Sequence, residues 1–254
     1  MRISGTMCTR TAALTAMTVI LVAGCGGGAD DGGGGASGGK NSSGSAQRAG
    51  HSASPTADPT RIPEVGDALQ SRIPAGSRQV VAVYGKGEDS ADATVVLYTR
   101  AAGEGRTWEK QRSWPAHNGK RGWTVDHREG DKRSPVGVFT LTDAGGVLPD
   151  PGSRLPYAQG AAFAAPHYWP KTHWHDFDYV IAVDYNRVKG TSPIDPTRPE
   201  GRRKGGSIWL HMDHGSGTSG CVSLPKSGME YLLRTLDPRQ RPVVVMGDKA
   251  HLAS

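Results

Sequence analysis

The sequence predicts a mainly β domain, a sandwich or barrel with one or two short helices and a cleft. Three observations carry that expectation. Short runs rich in Val, Thr, Ile and Tyr recur between turns of Gly, Pro and Asp, as strands do. Only one longer stretch of the folded part places its apolar residues at helical spacing. No internal repeat divides residues 61–254, a length that suits one domain.

Residues 1–24 are read as an export segment. Arg2 and Arg10 make a basic start, an apolar run covers Ala12–Ala23, and small residues lead into Gly24-Cys25. The run is too short and too poorly flanked for a stable membrane span. Its end, Leu21-Val22-Ala23-Gly24-Cys25, resembles a bacterial lipobox, which implies cleavage before Cys25 and lipidation of Cys25. Residues 25–60 then form a tether. Gly, Ser and Ala dominate it and no Val, Ile, Leu, Met, Phe, Tyr or Trp occurs, so it cannot bury enough surface to offset its ordering entropy. As a random coil, such a tether of about 35 residues spans roughly 30–35 Å.

Within residues 61–254, Gln79–Tyr84 and Ala93–Thr99 read as two strands of a hairpin. Thr107–Trp114 alternates weakly, and Val136–Thr142, Asp178–Tyr185, Ser207–Met212 and Pro242–Met246 complete the strands. The helix spans Lys226–Leu236, with Met229, Leu232, Leu233 and Leu236 on one side and Asp237-Pro238 as its stop. A short second helix is expected over Val65–Ser71. The Pro-, Gly- and Arg-rich stretch 189–206 is long enough to be a lid or mobile segment.

Of three cysteines, Cys8 lies in the export segment and Cys25 is the lipid site. Cys221 is then the lone thiol of the exported domain, so no intrachain disulfide forms, and because a free thiol outside the cell is exposed to oxidation, it is expected there for its chemistry. It sits in GSIWLHMDHGSGTSGCVSLP, residues 206–225. Strand alternation puts Ile208, Leu210 and Met212 on one face and Ser207, Trp209 and His211 on the other. A glycine-rich turn returns the chain to Cys221, which brings imidazole and sulfur to adjacent segments. An imidazole can take the thiol proton, giving a thiolate–imidazolium pair, and later protonate a leaving amine. His211, fixed by its strand, is the first candidate base, and His214, in the loop, the second. The amides of Ser219, Gly220 and Cys221 are candidate donors to an oxyanion, with Thr218 and Ser219 as loop support.

At these residues the chain resembles the L,D-transpeptidases of the YkuD type, in a divergent bacterial lipoprotein branch. That family pairs an upstream histidine, here His211, with a downstream Ser/Thr-His-Gly-Cys, here Thr218, Gly220 and Cys221. Ser219 stands where many members have a second histidine, and the usual arginine after the cysteine is absent. Residues 132–139 (KRSPVGVF) and 178–186 (DYVIAVDYN) are similar to two further strands of the family. The resemblance implies an L,D-transpeptidase-like β fold with a catalytic cleft. It implies cleavage between the third-position diamino acid and D-Ala of peptidoglycan stem tetrapeptides. A Cys221 thioester would pass its acyl group to an amine as a 3→3 cross-link, or to water as a carboxypeptidase side activity. It requires no metal or other cofactor.

Residues 167–176 (HYWPKTHWHD) are expected to line or cover the substrate cleft through His173, Trp174 and His175, with Tyr185 as a further lining residue. His173 and His175 would share a face in an extended segment, a weak match to a zinc pair with Asp176 or Asp178. Lys132 and Arg133 are candidate contacts to substrate carboxylates, although solvation is their ordinary role. The net charge of +6 falls to +4 without Arg2 and Arg10, a modest excess that suits anionic membrane or wall polymers and not nucleic acid. No nucleophile elbow, P-loop or dinucleotide fingerprint is present. The expected protein is therefore a monomer, lipid-anchored at the outer face of the cytoplasmic membrane, acting on the cell wall. The alternatives are a wall-binding module with a silent thiol and a zinc peptidase built on His173.

Overall fold

Short strands with one apolar face close into a barrel when each end of the sheet finds a partner. The computed structural model describes residues 58–103 and 107–254, all within one unit, Ala53–Ser254. The export segment, Cys25 and nearly all of the tether lie outside the described residues. Eleven strands form among the described residues: β1 (Gln79–Gly85), β2 (Asp92–Thr99), β3 (Glu109–His117), β4 (Trp123–Thr124), β5 (Ser134–Pro135), β6 (Gly137–Gly146), β7 (Tyr157–Gln159), β8 (Val180–Val183), β9 (Trp209–Met212), β10 (Val222–Leu224) and β11 (Val243–Asp248). Three short helices join them: α1 (Asp67–Gln70), α2 (Lys226–Thr235) and α3 (Lys249–Ala253). None of these helices is long and apolar enough to cross a membrane.

The main sheet runs β11-β1-β2-β3-β10-β9-β8-β6, and β6 pairs back onto β11, so eight strands make a closed ring. β7 extends β6 at its far end, and β4 with β5 forms a separate small pair. β1 and β2 make the expected antiparallel hairpin. The alternatives of sandwich and barrel resolve to a barrel, which removes exposed sheet edges.

An eight-stranded barrel leaves room only for side chains. Val81, Val83, Leu97, Leu141, Ile181, Leu210 and Val222 point inward, and Met229, Leu232, Leu233 and Leu236 of the α2 side complete the same fully buried cluster. Each such aliphatic side chain contributes about 1.5–3 kcal/mol by leaving water. The outward residues form two further clusters. Val80, Ala82, Val96 and Val245 are covered by Ile62 of the N-terminal segment, Leu69 of α1, Trp108 just before β3 and Leu252 of α3. Val180, Ala182, Trp209 and Phe163 form the other, with Phe177 and Cys221 packed against it. Of that second outer patch, Phe177 and Cys221 line the cleft.

Some elements differ from expectation. The helix α3 follows directly on β11 because Asp248 accepts hydrogen bonds from the amides of Ala250 and His251, an N-cap. Residues 189–206 are pinned rather than lid-like. Asn186 Nδ2 donates to the carbonyls of Gly201 (3.0 Å) and Gly205 (2.6 Å), and the loop lines no part of the cleft. Beside it, buried Arg187 pairs with Asp143 (2.9 Å) and with Asp184, tying β6 to the turn after β8.

Candidate active site

The cleft depends on how β9 reaches β10. These strands are parallel neighbours, with Leu210 opposite Val222 and His211 opposite Ser223. The chain leaves β9 at Met212, runs back along residues 118–120, and re-enters beside the start of the strand it left. Thr218 anchors the return: its amide donates to the Asn118 carbonyl and its carbonyl accepts from the Lys120 amide, both at 2.8 Å. Asp213 fixes the near end, taking hydrogen bonds from Ser223 Oγ (2.6 Å) and the Gly215 amide (3.0 Å), with His117 Nδ1 at 2.7 Å. These contacts hold its carboxyl below its ordinary value, although burial alone would raise it.

One residue before β10, the same register puts Cys221 opposite Trp209, whose amide donates to Sγ at 3.4 Å. Cys221 and His211 therefore share the outer face of the sheet and line one cavity of about 290 Å³. His211 Nδ1 lies 2.8 Å from the Met212 carbonyl. A carbonyl only accepts, so Nδ1 carries the proton and Nε2 is left as the basic nitrogen. Phe177 packs edge-on against both His211 and Trp209, with centroids at 5.3 Å, and shields the imidazole.

This shielding sets the electrostatics. Burial pulls His211 down to about 4, against the opposing effects of its Met212 hydrogen bond and the Asp176 charge. Burial likewise pushes the Cys221 thiol up to about 11, partly countered by the Trp209 amide and reinforced by Asp176. The residue is only half-buried, but its sulfur lies among Trp209, Ser207 and the cleft floor, and its S–H donates to the Ser207 carbonyl at 3.4 Å. The thiol and the imidazole that share the cleft are thus both neutral at rest. The expected thiolate–imidazolium pair is disfavoured because a site this dry penalises both charges.

The loop amides divide by task. The Gly220 amide is already committed, donating to Thr218 Oγ1 at 3.1 Å, while Thr218 Oγ1 donates to the Cys221 carbonyl at 2.6 Å. Gly220 has φ of +142°, and a Cβ there would lie 3.1 Å from the Arg133 carbonyl, so glycine serves the backbone and not an approach to substrate. Buried Ser134 Oγ receives the Gly119 amide (2.9 Å) and donates to the Gly220 carbonyl (2.8 Å), with the Cys221 carbonyl at 3.2 Å.

Other expected residues fall in different places. His214 is no solvated loop residue: its side chain is 4% exposed and lies against Asp176, with Nδ1 at 3.1 Å from Oδ2. His173 lines the cleft and meets the same Asp176 oxygen at 3.0 Å. Trp174, His175 and Tyr185 are not among the cleft-lining residues. The chain around 171–173 is a 3₁₀ turn, not a strand, so His175 turns outward to Asp178 and does not join His173. The Trp174 indole donates to the Trp169 carbonyl at 2.9 Å. Tyr185 is buried on another side, its hydroxyl reaching the Lys204 carbonyl at 3.0 Å. Arg133 is bound to Asp89 and the Trp123 carbonyl, and the cation that lines the cleft is Lys120.

Lys120 and Phe177, which line the cleft, and Ser134, which braces its loop, were not assigned to the site from sequence, whereas Asp176 ends the segment 167–176 expected there. Only the Ser134-Pro135-Val136-Gly137 segment carried a signal, as part of the family-like strand.

A closed β-barrel bearing a lone thiol and an imidazole on one outer face defines the class of protein. The particular family follows: the chain belongs to the YkuD family, whose L,D-transpeptidase catalytic domain matches residues 90–245, more than half of the chain. No curated protein and no solved structure matches it.

Proposed function

We propose that this chain is a cysteine acyltransferase acting on peptidoglycan stem peptides, with Cys221 as nucleophile and His211 as base. One observation carries the proposal: the two side chains share a face and a cleft, and His211 presents an unprotonated Nε2. Sγ attacks the carbonyl carbon of the third-position diamino acid as its proton passes to His211 Nε2. The amides of Ser219 and Cys221, which hold no other partner among the described residues, receive the oxyanion. Collapse breaks the C–N bond, and the imidazolium protonates the departing D-Ala amine. The thioester then acylates an amine of a second stem, giving a 3→3 cross-link, or water, giving a shortened tripeptide. In either case the acceptor proton goes to His211 and returns to the thiol. Lys120 is suited to the substrate carboxylate.

Incubating the full chain with a carbapenem, followed by intact-mass analysis, tests the proposal. An adduct is expected that is lost in Cys221→Ala. His211→Ala should slow acylation by about 10²–10⁴, the usual cost of losing a general base, and by more than His214→Ala does. A second reading, a wall-binding module with an unreactive thiol, is favoured by the burial that keeps Cys221 protonated. Peptide binding without an adduct would select it. The lipobox-like pattern at Cys25 supports a lipid anchor facing the wall, and Cys25→Ala should then release the chain from membranes.

A further inference from the structure

Two imidazoles and a carboxylate converge in the cleft without a role in acyl transfer. His173 and Asp176 project from one turn, and His214 reaches them from the loop after β9. Asp176 Oδ2 lies 3.0 Å from His173 Nδ1 and 3.1 Å from His214 Nδ1, and one donor atom from each residue falls within 4.8 Å of the others. The His173 and His214 rings are 4.1 Å apart at their centroids. Zinc bonds of about 2.0–2.2 Å at tetrahedral angles place donor atoms roughly 3.3–3.5 Å apart. The Asp176–imidazole separations of 3.0 and 3.1 Å lie close to that spacing.

Two further features point to a cation. The His214 side chain is buried, yet neither of its ring nitrogens makes a hydrogen bond, because its approach to Asp176 is short but badly aligned. A buried polar group left so is uncommon, since nothing repays its desolvation. Asp176 is buried as well, and its only ion-pair partners among the described residues are these two imidazoles, with no Lys or Arg. A buried carboxylate without a fixed cation calls for a proton on an imidazole or for a bound ion. The cluster is held rigidly, as the Asp176 carbonyl accepts from the Met212 amide at 3.0 Å, locking it to β9.

We propose that His173, Asp176 and His214 form a site for a divalent transition metal of the zinc class, with its remaining coordination position open to the cleft. Nitrogen and carboxylate donors in this number suit zinc or cobalt rather than calcium or magnesium, and three protein ligands leave a place for water or substrate. The ligand set differs from the His173–His175 pair suggested by sequence spacing, because His175 faces outward. The site lies in the same cavity as Cys221 but does not use it.

The test uses the full chain, without a polyhistidine tag, freed of metal by a chelator. Titration with Zn²⁺ should show one equivalent bound and a rise in melting temperature. Co²⁺ should give the visible absorption of a four- or five-coordinate nitrogen/oxygen site. His173→Ala and Asp176→Asn should each weaken Zn²⁺ by more than about 100-fold, beyond the ~10–100-fold typical of an outer-sphere partner. Both should abolish the thermal shift while leaving the metal-free melting curve close to that of the parent. Cys221→Ala should bind as the parent does. Absence of binding to the parent chain, or binding that survives His173→Ala and Asp176→Asn, would overturn the site. So would loss of binding in Cys221→Ala, which would put the metal on the thiol. None of these outcomes depends on whether Cys221 is acylated.

Discussion

The protonation state of the Cys221–His211 pair yields the sharpest prediction. Burial sets the thiol at about 11 and the imidazole at about 4. Moving the proton from sulfur to nitrogen across that gap costs about 10 kcal/mol, at ~1.36 kcal/mol per pH unit. Even if the two groups were in direct contact, the charges created would attract by only roughly 4 kcal/mol in a protein-like dielectric. The neutral pair is therefore favoured by several kcal/mol, and the ion pair is a small minority at neutral pH. Under the proposed mechanism the proton then passes to His211 during attack and not beforehand. The assay is the far-ultraviolet absorbance of the thiolate, read as the difference between the parent and Cys221→Ala across pH ~5 to ~10. Little thiolate signal is expected at neutral pH, and alkylation by iodoacetamide should accelerate steadily as pH rises. A full thiolate signal at neutral pH that disappears in His211→Ala would refute the argument, because the attraction would then outweigh burial.

Other consequences can be checked on the same protein. His211 takes a proton in the unfolded chain at about 6.5 but in the folded one only near 4, so unfolded chains bind more protons in between. Stability should fall as pH drops through that window, by up to ~1.4 kcal/mol per pH unit, and denaturant unfolding of His211→Gln should show a shallower slope. Ser134→Ala leaves a buried amide and two carbonyls without their shared hydroxyl, so it should cost about 1–3 kcal/mol in urea unfolding and slow acylation of Cys221. Gly220→Ala forces a side chain into a positive-φ position and should cost about 1–3 kcal/mol, with acylation lost before the fold. Leu232→Ala in the α2 plug should lower stability by about 2–5 kcal/mol and leave the acylation rate of the folded fraction unchanged.

Local rules made much of this legible. The inward face of β9, carrying Leu210 and extended by Ile208 just before it, and its outward face, carrying Trp209 and His211, follow from alternation alone. The stripe Met229, Leu232, Leu233 and Leu236 on α2 follows from helical spacing, and the β1–β2 hairpin from two β-branched runs around a polar turn. What could not be read depends on distant pairing. Closure through β6 and β11 joins residues about a hundred positions apart and leaves no mark on either strand. The burial of His214 requires the turn at 171–173 to fold over it, which is why a loop histidine looked solvated. The pinning of 189–206 rests on partners outside it, namely Asn186, Tyr185, Arg187 and Asp143, within a composition that otherwise resembles a mobile loop.

The placement of sulfur beside imidazole is itself such a case, with a local half and a distant half. Alternation puts His211 on the outer face, but Cys221 reaches that face only if β10 pairs with β9 in one register. A slip of one residue would turn Cys221 toward Leu210 and the barrel interior. β10 is only three residues long, too short for its own ladder to choose the register. The return loop makes the choice: Thr218 is clamped by residues 118–120 and Asp213 by Ser223 and His117, while Gly220 and Ser134 fix the last turn before the sulfur. The glycine-rich, polar composition of residues 213–220 is thus a positioning device. Its contribution to chemistry comes through where it delivers Cys221, and that is why substitutions at Ser134 or Gly220 should affect acylation although neither side chain meets the substrate.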